Sequence, residues 1–477
     1  MSMFIGRISE IEDLEERIKS PRFEMIPIYG RRRIGKTRLV EEFTKNKKTI
    51  FFTANQFGEE SNLKNLSAAI GASLFGNLTA PAYASFQDAF LEIAEQSEKL
   101  KEPIVFVIDE YPYLAQSNTG ISSVLQWVID KYYLKLSNLM LILTGSQMSF
   151  MQKQVLGYES PLYGRRTGQI RLQPLDFSEA RVFLPSLPLT DFLTLFGITG
   201  GIPLYLTMMK DDYSLEENIK AHLLKPSTLL YEEPENLLMQ ELRTPNRYHD
   251  VLIAVAGGAT SLNEIANQTG LESGSVSKYV NTLIELDILE KRISLTNIGK
   301  RKPIYFIKDG LFHFWYRYVP KYKNFIERQQ ISLIWSRIKA DLILFTSIIF
   351  EEYCREWLHL NSTILLKEVG AWWGNNPLIK DASSNAEEVD VIGLGLEKDE
   401  LVVGECKWKN EPIGVDVGEK LVQRAQFFPY AKKELYIFSK SDFTDALKEY
   451  AVRHDIKLLT FEEMVKKSKD IGMDLNA

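Results

Sequence analysis

The sequence predicts a multidomain α/β protein, and three observations carry that expectation. Its 477 residues exceed the size at which a single hydrophobic core stops growing, so roughly two to four domains are expected. Over residues 1–175, short apolar runs ending in glycine or acidic residues alternate with helically spaced segments, the order of a parallel sheet with helices on its faces. Over residues 341–477 a helix is followed by three strands, a helix and another strand.

Composition sets the broad class. Apolar residues make up 45% and charged residues 25% of the chain, enough for sizeable cores and incompatible with wholesale disorder. Two cysteines, Cys354 and Cys406, and five scattered histidines give neither a disulfide framework nor zinc-ligand spacing, so any metal is expected to be Mg²⁺ held by oxygens. The opening Met1-Ser2-Met3-Phe4-Ile5-Gly6-Arg7 lacks the basic and apolar regions of a signal peptide. The uncharged stretch Phe192 to Met209 is broken by Gly200-Gly201 and Pro203, so no membrane span and a cytoplasmic location are expected. A net charge of -6 excludes a uniformly basic, histone-like mode of nucleic-acid binding but not a local basic face.

Met25-Ile26-Pro27-Ile28-Tyr29 is an apolar run ending at Gly30, and Arg38-Leu39-Val40-Glu41-Glu42-Phe43 follows with helical spacing. The segment between them, Gly30-Arg31-Arg32-Arg33-Ile34-Gly35-Lys36-Thr37, is a Walker A loop in a strand–loop–helix setting, so the region reads as a P-loop NTPase. Backbone N–H groups of such a loop curl around phosphate oxygens, Lys36 reaches the terminal phosphates, and Thr37 ligates Mg²⁺. Gly30, Arg33, Ile34, Gly35, Lys36, Thr37 and Arg38 are the candidate ATP contacts. Pro103 to Ile108 then forms a strand buried on both faces that ends in Asp109-Glu110, the Walker B pair. Asp109 is assigned to Mg²⁺, and Glu110 to orienting or deprotonating the attacking water.

A third apolar strand, Leu139 to Leu143, ends in Thr144-Gly145-Ser146, which makes Thr144 and Ser146 candidate γ-phosphate sensors. Arg165-Arg166 are candidates for neutralising transition-state charge, within the chain or across a subunit boundary; adjacent arginines also serve as plain surface.

These segments, with Phe4-Ile5-Gly6-Arg7, Glu10 and Leu14 ahead of the loop, Leu172-Gln173-Pro174-Leu175 after the arginines and Gly201-Ile202-Pro203 beyond, resemble the AAA-like STAND ATPases of archaea and bacteria, in particular those with a C-terminal nuclease-like region. The resemblance implies that Phe4, Gly6, Arg7 and Pro203 are secondary nucleotide contacts. It also implies assembly into a larger state, a homo-oligomer.

Residues 176–245 turn helical, as expected of a lid subdomain over the nucleotide, with Gly200-Gly201 as its hinge. Residues 246–310 read as a winged helix. Three short helices are expected over 247–255, 261–268 and 275–286, with Ser261 and Glu264 as a capping box, followed by strands over 289–293 and 303–307. Ser273, Ser275, Lys278 and Asn281 form the outward face of the third helix and are the candidate DNA contacts in a major groove; winged helices also serve as protein-binding modules. Between Lys291 and Arg328 stand ten basic residues, Arg292, Lys300 and Arg301 among them, against Asp309 and Glu327. A basic wing suits phosphate contacts, and Arg292 is its candidate DNA-binding residue. Residues 311–340 read as a basic and aromatic connector, with Phe312, Phe314, Trp315, Tyr316 and Tyr318 expected in the core rather than as a stacking platform.

In the C-terminal region two strands, Glu388 to Leu394 and Glu400 to Lys407, flank a turn at Glu397-Lys398-Asp399. Centring the turn between Glu397 and Lys398 places Asp390 opposite Glu405, ~5 Å apart at Cβ, with Lys407 on the same face. Two carboxylates sharing Mg²⁺ beside a scissile phosphate, with a lysine to stabilise charge, form a nuclease constellation. The order of elements and these residues resemble the PD-(D/E)xK nucleases, restriction-endonuclease-like folds. The resemblance makes Glu351 the first-helix acid and Gln426 the helix residue behind the site, while Val389 stands where the family's proline would be. Such folds also act by binding alone. The sequence reading is therefore an ATPase that binds DNA and cleaves it with Mg²⁺; its rival is a STAND-type signalling or scaffold ATPase that cuts nothing.

Overall fold

The computed structural model describes residues 4–76, 81–100, 102–242, 244–296, 298, 302–378 and 386–473. Contacts divide it into two units, Met1–Glu179 with Ile202–Tyr205, and Ala180–Gly201 with Leu206–Ala477.

The first unit runs α1 (Ile8–Arg17), β1 (Glu24–Tyr29), α2 (Lys36–Thr44), β2 (Lys48–Thr53), α3 (Glu59–Ile70), α4 (Phe86–Lys99), β3 (Ile104–Asp109), α5 (Tyr111–Ser117), α6 (Ile121–Lys131), β4 (Leu139–Gly145), α7 (Met148–Phe150) and β5 (Ile170–Arg171). Its strands are all parallel, in the order β2-β3-β4-β1-β5. β1, β3 and β4 are buried at every residue because helices cover both faces, which is why their sequences are unbroken runs rather than alternations. Two separate cores result, one around Phe90, Phe106 and Tyr133, the other around Leu39, Val105 and Ile142. Since β4 stands between β1 and β3, the chain leaves the sheet at Gly30, Glu110 and Ser146 along one edge, where parallel α/β sheets take ligands.

The second unit begins with helices, as expected: α8 (Phe177–Arg181), α9 (Leu189–Thr199), α10 (Pro203–Met208), α11 (Leu215–Asn218) and α12 (Leu229–Glu241), parts of α8 and α10 belonging to the first unit. α9 stops at Gly200 and Gly201, whose φ angles of 59° and 67° favour glycine. α13 (Asn246–Ala256), α14 (Leu262–Thr269), α15 (Ser273–Glu285) and the antiparallel hairpin β6 (Leu289–Arg292) and β7 (Ile304–Ile307) have the arrangement of a winged helix.

The expected connector is a pair of long helices, α16 (Gly310–Glu327) and α17 (Ile331–Asn361), and α17 crosses the boundary expected at 340/341. Aromatic spacing explains α16: Phe312, Trp315, Tyr316, Val319 and Tyr322 are buried on one stripe. The remaining elements are β8 (Leu366–Asn375), β9 (Ala386–Gly395), β10 (Glu400–Lys407), α18 (Val415–Ala425), β11 (Lys432–Ser439), α19 (Asp445–His454), β12 (Ile456–Thr460) and α20 (Phe461–Met473). Their sheet is mixed, in the order β12-β11-β10-β9-β8, with β8–β9–β10 antiparallel and β10–β11–β12 parallel. Among the described residues no helix is long and apolar enough to cross a membrane.

Candidate nucleotide site, helix-turn-helix and C-terminal acidic centre

The loop from Gly30 to Thr37 joins β1 to α2 through two left-handed residues, Arg33 at φ 68° and Gly35 at φ 93°. A Cβ at Gly30 would lie 2.7 Å from the Leu172 carbonyl oxygen, so only glycine fits there. Lys36 is 5% exposed, and its Nζ donates to the carbonyls of Gly30 at 3.0 Å and Arg31 at 2.9 Å. Burial lowers its pKa to about 8, against the opposing pull of Glu110 and Asp109.

Thr37 Oγ1 donates to Asp109 Oδ2 at 3.2 Å, and Thr144 Oγ1 makes a shorter bond to Asp109 Oδ1. Burial raises the Asp109 pKa, with Glu110 adding to the rise and the two hydroxyls opposing it. Thr144 also accepts the Glu110 backbone N–H at 3.1 Å, so a single hydroxyl orients both acids. The Glu110 carboxylate accepts from Ser146 Oγ at 2.9 Å and Ser146 N at 3.3 Å. Thr144 and Ser146 thus hold the acidic pair.

Arg7 reaches the same loop, its Nη2 donating to the Ile34 carbonyl at 3.3 Å, and Phe4 packs on the core that contains Ile34. Pro203 Cγ lies 4.0 Å from the Cβ position of Gly35. Sequence reasoning missed Glu179. Its Oε1 accepts the Arg7 backbone N–H at 3.1 Å and fills the space beside Gly6, where a Cβ would meet it at 2.4 Å. The available signal was Asp176-x-x-Glu179, which forms a reciprocal cap across the α8 N-terminus. Arg38 pairs with Glu41 one turn on, at 3.4 Å. Arg165 is occupied: both its Nε and Nη2 donate to Asp130 at 2.9 Å, and Arg166 is half-buried.

In the helix-turn-helix, Ser261 and Glu264 form the expected capping box, and Gly270 ends α14 in the left-handed region. Val276, Val280 and Leu283 are buried, which leaves Ser273, Lys278 and Asn281 exposed and Ser275 half-exposed on α15. Arg292 departs from expectation. Its Nη2 lies 2.5 Å from Glu352 Oε1 on α17, its Nε pairs with Glu290, and its guanidinium sits 4.2 Å over the Phe306 ring.

The wing is also seated inside its own unit. Leu295 N donates to the Ala371 carbonyl at 3.0 Å, Ser294 Oγ exchanges hydrogen bonds with the backbone of Trp373, and Trp372 Nε1 donates to the Ile298 carbonyl at 2.9 Å. Lys300 and Arg301 lie outside the described residues. The local basic excess is smaller than the sequence window suggested, because Asp287, Glu290, Asp341 and Glu352, all outside that window, pair with Lys308, Arg292 and Arg317. Phe312, Phe314, Trp315, Tyr316 and Tyr318 are core, as expected.

β9 and β10 pair in the expected register, with Val403 opposite Ile392 and Gly404 opposite Val391. One residue further on, the structure brings Asp390, Glu405 and Lys407 together. Lys407 Nζ lies 2.5 Å from Glu405 Oε1 and 3.9 Å from Asp390 Oδ2, which also accepts the Cys406 backbone N–H at 2.8 Å. Burial raises Asp390 to about 6, with Glu405 adding to the rise and Lys407 opposing it. Glu351 is raised to about 8, first by burial and then by Asp390. Gln426, expected behind the site, is exposed at the end of α18; that place belongs to Arg424, whose Nη1 donates to Glu405 Oε2 at 2.7 Å. Among the described residues, no three His, Cys, Asp or Glu side chains form a metal-holding group.

Comparison with known proteins assigns these regions. Residues 4–209 match an ATPase domain found predominantly in Archaea, residues 247–292 the IclR helix-turn-helix domain, and residues 315–421 a family of archaeal and bacterial proteins of unknown function. An uncharacterized protein of Methanocaldococcus jannaschii is 32% identical over 422 residues, which span 86% of this chain and 88% of that one. An uncharacterized ATP-binding protein of the same organism is 46% identical over 46 residues, 10% of this chain and 78% of that one. Among solved structures, a Walker-type ATPase of Pyrococcus abyssi shares the fold at a TM-score of 0.50 and 22% identity, covering 66% of this chain and 96% of its own. At that identity and coverage the chain belongs to the family of the longer Methanocaldococcus protein, and it is a nucleotide-binding P-loop ATPase with a helix-turn-helix after its ATPase domain.

Proposed function

We propose that the chain is a cytoplasmic ATPase that binds DNA through its helix-turn-helix and cleaves it at the C-terminal acidic centre. The observation that carries this reading is the convergence of Asp390, Glu405 and Lys407 at the end of the β9–β10 pair. In the nucleotide site, Lys36 exchanges the Gly30 and Arg31 carbonyls for the β- and γ-phosphates, and the loop N–H groups take up the remaining phosphate oxygens. Glu110 leaves Ser146 to orient the attacking water, and Thr144 keeps Asp109 in place. Thr37 and Asp109 present a hydroxyl and a carboxylate within hydrogen-bonding distance, the hard oxygen set that suits Mg²⁺. Phe4, Gly6, Arg7 and Pro203 border the nucleotide. Arg166 is the remaining candidate for charge neutralisation, within one chain or between copies in a homo-oligomer; Arg165 acts only by leaving Asp130.

At the C-terminal centre, Asp390 and Glu405 are two adjacent carboxylates. That donor set fits Mg²⁺, which takes one or two carboxylates and fills its remaining positions with water and substrate phosphate. Bound there, the ion would supply charge neutralisation at the scissile phosphate. Lys407 swings from Glu405 toward the phosphate, and Arg424 holds Glu405 in place. Ser273, Ser275, Lys278 and Asn281 read the duplex.

A second reading, a STAND-type switch whose C-terminal domain binds without cutting, is favoured by one observation: each Glu405 oxygen already faces a cation, Lys407 or Arg424. The test is cleavage of duplex, branched and single-stranded DNA in Mg²⁺ or Mn²⁺ by wild type beside Asp390→Ala. Cleavage that disappears in the variant supports the first reading. Binding without cleavage by wild type supports the second.

A further inference from the structure

The charge network behind Asp390 extends into the winged helix. Arg355 of α17 is nine-tenths buried; its Nε donates to the Asp390 backbone carbonyl at 2.9 Å, its Nη2 to Glu351 at 3.1 Å and its Nη1 to Glu352 Oε1 at 2.8 Å. The same Glu352 oxygen lies 2.5 Å from Arg292 Nη2. One carboxylate therefore bridges two guanidiniums, one from the wing and one from the acidic centre.

Each link is geometrically constrained. Arg292 is sandwiched between Glu290, Glu352 and the Phe306 ring, so its planar head has few other places to go. β6, which carries it, leads into Leu295, whose N–H pairs with Ala371 of the edge strand β8, and Leu295 and Ile298 pack on the core of the C-terminal sheet. Glu352 is 42% exposed, so without Arg292 it is free to turn toward water. Arg355 would then lose one of its three anchors and hold the Asp390 backbone less tightly.

We propose that Arg292 is a positioning residue of the C-terminal acidic centre, acting through Glu352 and Arg355 on Asp390, and that the wing is part of this centre's scaffold rather than a DNA-phosphate clamp. The inference rests on the reading of Asp390, Glu405 and Lys407 as a cleavage centre. It makes the winged helix and the cleavage centre one body, so the strand bound by α15 meets Asp390 in a fixed register.

The test uses the full chain with Arg292→Ala, Arg292→Lys, Glu352→Gln and the double variant Arg292→Ala/Glu352→Gln. Cleavage at saturating DNA, DNA affinity across a salt series, and thermal unfolding are read together. Arg292→Ala is expected to lower the cleavage rate ~10- to 100-fold, up to the scale of a displaced catalytic group, while DNA affinity stays within about twofold and the salt slope is unchanged. Arg292→Lys should recover much of the rate, and the double variant should be no slower than the worse single one, because both act through one bridge. A fall in DNA affinity with the salt slope reduced by about one, at an unchanged saturated rate, would make Arg292 a phosphate contact and overturn the proposal. Absence of cleavage by wild type would refute the cleavage reading alone. Positioning is then judged by unfolding cycles of Arg292→Ala against Arg355→Lys, where non-additive shifts sustain it and strictly additive shifts overturn it.

Discussion

Lys36→Met should raise the stability of the nucleotide-free protein while abolishing its activity. The Lys36 ammonium is 5% exposed and donates to the two loop carbonyls, and burial drops its pKa from 10.5 to about 8. That drop corresponds to about 3 kcal/mol of destabilisation below pH 8, where the lysine is charged in both folded and unfolded chains. Between pH 8 and 10.5 the unfolded chain binds the proton and the folded chain does not. Wild-type stability should therefore climb through that window, by up to that amount against the background of other groups. Methionine keeps the length of the stem without the charge. The variant should melt several degrees higher than wild type at pH 7, should lose the Lys36 share of the climb, and should show ATP turnover reduced at least ~100-fold because the phosphate contact is gone. Melting curves from pH 7 to 10.5 with steady-state ATPase assays decide it. A variant less stable than wild type at pH 7 would refute the argument from burial.

Thr144→Val, nearly isosteric, removes the hydroxyl that holds Asp109 and the Glu110 backbone; ATP turnover should fall ~10- to 100-fold with nucleotide affinity changed only a few-fold, as separate titration and turnover measurements would show. Gly30→Ala drives a Cβ to 2.7 Å from a backbone oxygen that cannot yield, and should cost about 1–3 kcal/mol in chemical denaturation, with nucleotide binding weakened as well. Lys278→Ala removes an exposed charge from α15; DNA affinity should drop uniformly across sequences and the salt slope should fall by about one in a binding series.

What could be read from the sequence was local. The loop at Gly30 and the acids at Asp109-Glu110 sit at the ends of strands buried on both faces, so chemistry and hydrophobic pattern change at the same residue. The β9–β10 register was legible because a short turn leaves one pairing that keeps both apolar faces inward. What could not be read was long-range. Nothing around Leu295 announces that its N–H pairs with Ala371, and no window around Arg292 includes Glu352. Counting charge along a segment therefore overstated the basic face. Gln426 failed for a different reason: α18 ends at Ala425, so the inward helical position behind Glu405 falls on Arg424, two residues earlier. The boundary expected at 340/341 falls inside α17, because Ile331–Asn361 holds no proline or glycine to end the helix.

The most direct measurement is ATP turnover and DNA cleavage on the same preparations of wild type, Glu110→Gln and Asp390→Ala in Mg²⁺. Glu110→Gln should bind ATP, stop hydrolysing it and retain basal cleavage, whereas Asp390→Ala should hydrolyse ATP at the wild-type rate and cut nothing. Loss of both activities together in either variant, or undiminished cleavage by Asp390→Ala, would contradict two separate centres in one chain.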